Sequence, residues 1–128
     1  MGTFCIQWNC RGLNANKDDS IKELLHTFSP VTLCLQETFL KEGNDVRLNH
    51  YRLFRKDREE ARGGVAIDVH NSYPATPVAL TTDLEAVAAK VYVGFLITIC
   101  SLYIPPMKAV SAEDLENLLE QLLPHTGL

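Results

Sequence analysis

Residues 31–37 read VTLCLQE, and the fold turns on how this stretch is taken. Val31-Thr32-Leu33-Cys34-Leu35 is apolar or β-branched at consecutive positions, the pattern of a strand buried on both faces. Glu37 stands at its mouth. A carboxylate there needs a partner, because an unpaired buried charge is very costly.

The segment just upstream, SIKELLHTF (20–28), predicts a helix. Ser20 and Glu23 stand at capping-box spacing, and Ile21, Leu24, Leu25 and Phe28 fall on one helical face. Ser29-Pro30 stops it. Further back, TFCIQWN (3–9) is rich in β-formers and predicts a first strand, followed by a loop over 10–19. Downstream, YRLFRKD (51–57) and GGVAIDVH (63–70) predict strands, and Pro74 and Pro77 mark a loop. EAVAAKVYV (85–93) and FLITICSLY (95–103) predict a hairpin around Gly94 that ends at Ile104-Pro105-Pro106. SAEDLENLLEQLL (111–123) predicts a second helix, capped by Ser111 and Asp114, with Leu115, Leu118, Leu119 and Leu122 as its buried stripe.

This order implies an α+β, layered α/β fold: one mostly antiparallel sheet of about six strands, with two helices on one face. TLCLQ and FLITIC ask for cover on both faces of that sheet, yet two helices cover only one. The other face is therefore expected to lie against material outside these residues.

The chain of 128 residues suffices for one domain with a core. No apolar run approaches the roughly 20 residues that cross a bilayer, so no membrane partner is expected. The start lacks the basic segment and long apolar stretch of a secretory signal, and an intracellular location is expected. Four cysteines at irregular spacing, three of them in strand-like runs, read as reduced structural thiols. A net charge of −4 argues against a strong electrostatic grip on nucleic acid by the chain as a whole. Between Asp45 and Arg62, six basic residues face four acids, which reads as a solvated, salt-bridged loop. No Ser/His/Asp set, Cys/His set or phosphate-cradling glycine loop can be argued from spacing.

Four short stretches carry a further signal: QWNCRGL (7–13), LCLQET (33–38), GGVAI (63–67) and LYIPP (102–106). In this order and at these gaps they resemble the endonuclease/exonuclease/phosphatase superfamily, the fold of deoxyribonuclease I and of abasic-site endonucleases. Within it they look most like the endonuclease domain of non-LTR retrotransposons. The resemblance implies half of a four-layer α/β β-sandwich, with residues 1–128 as the N-terminal half of the domain, truncated before the second sheet. Family members continue to a Gly-Asp-Phe-Asn strand and a Ser-Asp-His motif, neither of which occurs here.

The resemblance also implies a chemistry. Glu37 would hold Mg2+, with Asn9 converging on the same rim to bind or orient the metal. Tyr103 would place a phenol near the scissile phosphate of DNA, and Arg62 would touch a phosphate. Strand alternation would send Gln36 to the face opposite Glu37, as a structural hydrogen-bonder. His26, His50, His70 and His125 do not match the family's catalytic histidine. The implied activity is DNA nicking by phosphodiester hydrolysis, nuclear if genomic DNA is the target, and lacking in this segment alone because the base and histidine lie in the second half. The alternatives are a non-catalytic remnant or interaction fragment, and another branch such as an inositol or lipid phosphatase.

Overall fold

A computed structural model describes residues 4–13, 15–41, 43–44, 46–58, 63–106 and 109–123. The strands β1 (Cys5–Asn9), β2 (Thr32–Gln36), β3 (Tyr51–Lys56) and β4 (Val65–His70) form a sheet ordered β1-β2-β4-β3. The strands β5 (Ala75–Val78), β6 (Glu85–Tyr92) and β7 (Leu96–Tyr103) form a second sheet ordered β5-β6-β7. Helix α1 (Ala15–Phe28) crosses from β1 to β2, which pair in parallel, as a helical crossover requires. Every other pairing is antiparallel.

The α+β class stands, but its layers differ from the single six-stranded sheet expected. The two sheets pack face to face. Cys34, Phe54, Ile67 and Val69 of the first meet Val87, Ala89, Val91, Ile97 and Ile99 of the second. Helix α1 covers the outer face of the first sheet, placing Ile21 and Leu25 on Leu33, Leu35 and Ala66. Helix α2 (Ala112–Leu122) covers the outer face of the second, with Leu118 buried against Leu84 and Ala86. The helices therefore lie on opposite sides of a four-layer stack, and the second sheet is present as three strands rather than cut off before it. Alternation along a strand says which residues share a face; it does not say which sheet the strand joins.

The sheet face expected to be bare is covered from within the chain. Every residue of β2 is buried, as are Val65–Val69 of β4. What stays open is an edge. β1 and β7 border their sheets on the same side, and β1 alternates between exposed and half-buried residues. Phe95 and Leu96, at the start of β7, are exposed.

Three local expectations also shift. Helix α1 begins at Ala15, so Ser20 lies within it; a Ser and a Glu three apart on a solvated face imitate a capping box. β5 falls in the stretch read as a loop, where Pro77 is tolerated because the strand is an edge. Leu119 and Phe28 are exposed rather than buried. At α2 the capping box of Ser111 and Asp114 forms as its spacing indicates.

Candidate functional site

The site lies where β1, β2 and β7 end and β4 and β6 begin. Glu37 leaves β2 in the left-handed region, at φ 52°. The backbone then runs pinned on both sides. Gly12 and Leu13 donate to the carbonyls of Glu37 and Thr38, at 2.6 and 2.9 Å, while Thr38 and Phe39 donate to those of Gly64 and Gly63, at 3.2 and 2.8 Å. The glycine pair makes this docking possible. Gly63 and Gly64 sit at φ 121° and 95°, and a Cβ on Gly64 would collide with the Thr38 hydroxyl.

The left-handed residue also redirects the side chains. Gln36 is buried and donates to Ser101 Oγ at 2.9 Å, and the Tyr103 hydroxyl donates to Glu37 Oε1 at 2.9 Å. Ser101 and Tyr103 are two residues apart on β7 and share a face. Gln36 and Glu37 therefore turn to the same sheet, and the alternation expected to separate them fails because φ changes sign between them. Gln36 is the structural hydrogen-bonder expected. It accepts from Gln7 Nε2 at 2.8 Å, and Ser101 Oγ passes the chain on to the Leu35 carbonyl at 2.9 Å. This relay, exposed at Gln7 and buried at Gln36 and Ser101, joins β1, β2 and β7 beneath the rim.

Tyr103 thus answers for Glu37. The carboxylate accepts its hydroxyl, and that bond raises the phenol above its usual range, which keeps it protonated and able to donate. Asn9, at the end of β1, lines a cavity of about 540 Å³ together with Gln7, Gln36 and Tyr103. Asn9, Glu37 and Tyr103 are thereby brought to one end of the sandwich, while Arg62 lies outside the described residues.

Two residues that sequence reasoning passed over complete the rim. Glu85 opens β6 opposite Tyr103, accepts Gly64 N–H at 2.6 Å through Oε1, and meets Arg58 Nη1 at 3.7 Å through Oε2. A glutamate directly before the apolar alternation of β6 was the available signal. Arg58 belongs to the segment read only as a salt-bridged loop.

Glu37 and Asn9 together offer a carboxylate and an amide oxygen, hard donors that suit magnesium, which is commonly held by one or two carboxylates plus water and phosphate. Among the described residues, no group of three or more His, Cys, Asp or Glu side chains is placed to hold a metal ion. His26, His50 and His70 line a separate cavity of about 420 Å³ between α1 and the start of β3, away from Glu37. No described helix is long and apolar enough to cross a membrane.

The sequence model of the endonuclease/exonuclease/phosphatase family matches residues 6–127. Among solved structures, the endonuclease domain of TRAS1, a telomere-specific non-LTR retrotransposon, superposes with a TM-score of 0.65 at 21% identity. That match covers 94% of this chain and 52% of the other. A humanized D. rerio TDP2 carrying 14 mutations superposes with a TM-score of 0.56 at 19% identity, covering 92% of this chain and 55% of the other. The chain spans about half the length of both solved structures. No curated protein matches it in sequence.

Proposed function

This chain belongs to the endonuclease/exonuclease/phosphatase family, and from that premise we propose that it is the N-terminal part of a magnesium-dependent, DNA-nicking endonuclease of the non-LTR retrotransposon type. The observation that carries this reading is the contact of Tyr103 with Glu37 beside Asn9, on a rim locked by Gly63 and Gly64. In this reading Glu37 and Asn9 hold the metal. A bound magnesium ion supplies charge stabilisation at a phosphodiester and lowers the pKa of a bound water. Tyr103, kept protonated, donates a hydrogen bond to a phosphate oxygen as negative charge builds on it. Glu85 holds the glycine turn and so the loop that carries Glu37.

The base that activates water and the histidine beside the phosphate belong to the family's second half, so residues 1–128 alone are proposed to be inactive. The open edge at β1 and β7 is where that second half would continue both sheets. Acting on genomic DNA, the intact protein works in the nucleus.

A supercoiled-plasmid assay with magnesium tests this reading. The expected result is no nicking by these residues alone, with Mn2+ binding at the rim that Glu37→Ala removes. Magnesium-dependent nicking by the isolated chain, lost on Glu37→Ala, would overturn its inactivity. The superposition on TDP2 shows the shared fold alone, and a different branch of the family is the second reading. Turnover of phosphoinositides but not of DNA by a longer form of the protein would decide for a phosphatase branch.

A further inference from the structure

The cavity of about 420 Å³ between α1 and the start of β3 belongs to no part of the rim. Strand β4 runs from Val65, beside Gly64, to His70 on the cavity wall, so roughly 17 Å of strand separates the two places. The chain carries a net charge of −4, yet Lys22, His26, Arg47, His50 and His70 line this cavity. Among the described residues, no carboxylate lines it. Asp68, two residues before His70, is buried and stays out of the lining.

Hydrogen bonding strengthens the bias toward an anion. Backbone acceptors around the cavity are engaged within the chain: the Leu25 carbonyl by Ser29 N–H at 2.9 Å, and the Pro30 carbonyl by the Tyr51 hydroxyl at 2.7 Å. The Leu48 carbonyl accepts Tyr51 N–H at 3.1 Å, and the His50 carbonyl accepts Asn71 N–H at 2.7 Å. Ser72 N–H donates to His70 Nδ1 at 3.1 Å, which leaves the proton of the neutral ring on Nε2. A ring so arranged is a donor and not a metal ligand. Lys22 and Arg47 each carry more N–H groups than one partner uses, so both can donate to a ligand as well.

Flat and apolar surface lies beside these donors. The His50 and His70 rings are nearly parallel, at 18° with centroids 6.4 Å apart, and Tyr51 meets His70 edge-on at 5.1 Å. Leu25 and Leu48 complete the wall. The volume falls within the range of small-molecule sites and leaves room beyond a bare phosphate. We propose that this cavity binds a small organic phosphate bearing a planar ring, of the mononucleotide class. Lys22, Arg47 and the His70 Nε2–H take the phosphate, as charge-assisted donors do. The imidazole faces, Leu25 and Leu48 take the ring.

The test is an amide NMR titration of the 128-residue chain with adenosine 5′-monophosphate, inorganic phosphate and adenosine as separate probes, in about 50 mM NaCl to limit screening. The mononucleotide should bind with a Kd below about 1 mM, with shifts centred on Arg47, His50 and His70. Phosphate and adenosine should each bind at least about tenfold more weakly. Lys22→Ala and Arg47→Ala, both at exposed positions, should each raise the mononucleotide Kd at least about fivefold without changing the melting temperature. Shifts centred on Asn9 and Tyr103, or adenosine or phosphate binding as tightly as the mononucleotide, overturn the proposal. So does a Kd unmoved by both substitutions, or the absence of shifts up to about 10 mM mononucleotide.

Discussion

Glu37 and Asp68 are carboxylates on neighbouring strands of one sheet, and they are held in opposite ways. Glu37 stands at a strand end, half-buried, with a phenol donating to it and two flanking backbones clamping its loop. Asp68 sits in the middle of β4, 2% exposed, with Oδ2 buried and unpartnered between Leu33 and Leu53 of the adjoining strands. The unpaired carboxylate that the sequence warned of at position 37 is in fact at position 68. Burial raises Asp68 to about 7, so near neutrality it shares the cost between ionisation and protonation. Where the chain builds a polar rim it supplies partners; where a carboxylate interrupts a strand, one of its oxygens is left buried without any, and stability bears the cost.

The largest expected effect is therefore at Asp68. Its folded value of about 7 lies above the ordinary 3.8, so the folded state binds the extra proton. Stability is at its fullest below about pH 4 with respect to this group, falls as pH rises toward 7, and is flat beyond. The full difference is about 4 kcal/mol. Asp68→Asn should remove that slope, so that urea unfolding shows a gain at pH 8 and little change at pH 4. An unchanged slope would mean that Asp68 and Glu37 are alike after all.

At the rim, Gly64→Ala should cost about 3 kcal/mol, from its left-handed backbone and the collision with Thr38. The loss should appear in thermal unfolding together with weaker Mn2+ binding, since the loop that carries Glu37 is displaced. Ser101→Ala should cost about 2 kcal/mol, because it strands the buried Gln36 amide. Gln7, at the exposed end of the relay, can be replaced by Ala at less cost, and unfolding of the two variants side by side checks the difference. Tyr103→Phe should be the mildest, about 1 kcal/mol, since Glu37 can turn to water.

The same contrast explains what could be read in advance. β2, β4 and the β6–β7 hairpin announce themselves through runs such as Leu33-Cys34-Leu35 and Val65-Ala66-Ile67, and α2 through Ser111 and Asp114. Asn9, Glu37 and Tyr103 stand at the ends of such runs, but it was the resemblance to the family, not the runs, that singled them out. The division into two sheets was not, because Val87, Ala89 and Val91 alternate identically whichever sheet they face. Nor was the direction of Gln36, since the left-handed turn at Glu37 is a tertiary consequence of docking on Gly63 and Gly64. Asp68 was hidden for another reason: one acid in GGVAIDVH reads as an outward residue unless both faces are known to be covered. Glu85 was overlooked because its partners are a backbone amide and an arginine far off in sequence.

The account rests on Glu37 and Asn9 sharing one hard cation, and paramagnetic broadening by Mn2+ in amide NMR spectra tests it most directly. Substoichiometric Mn2+ should erase the resonances of Asn9, Glu37 and Tyr103 first, and Glu37→Ala should restore them. Broadening centred on the His50 and His70 cavity, or undiminished at the rim after Glu37→Ala, would contradict it.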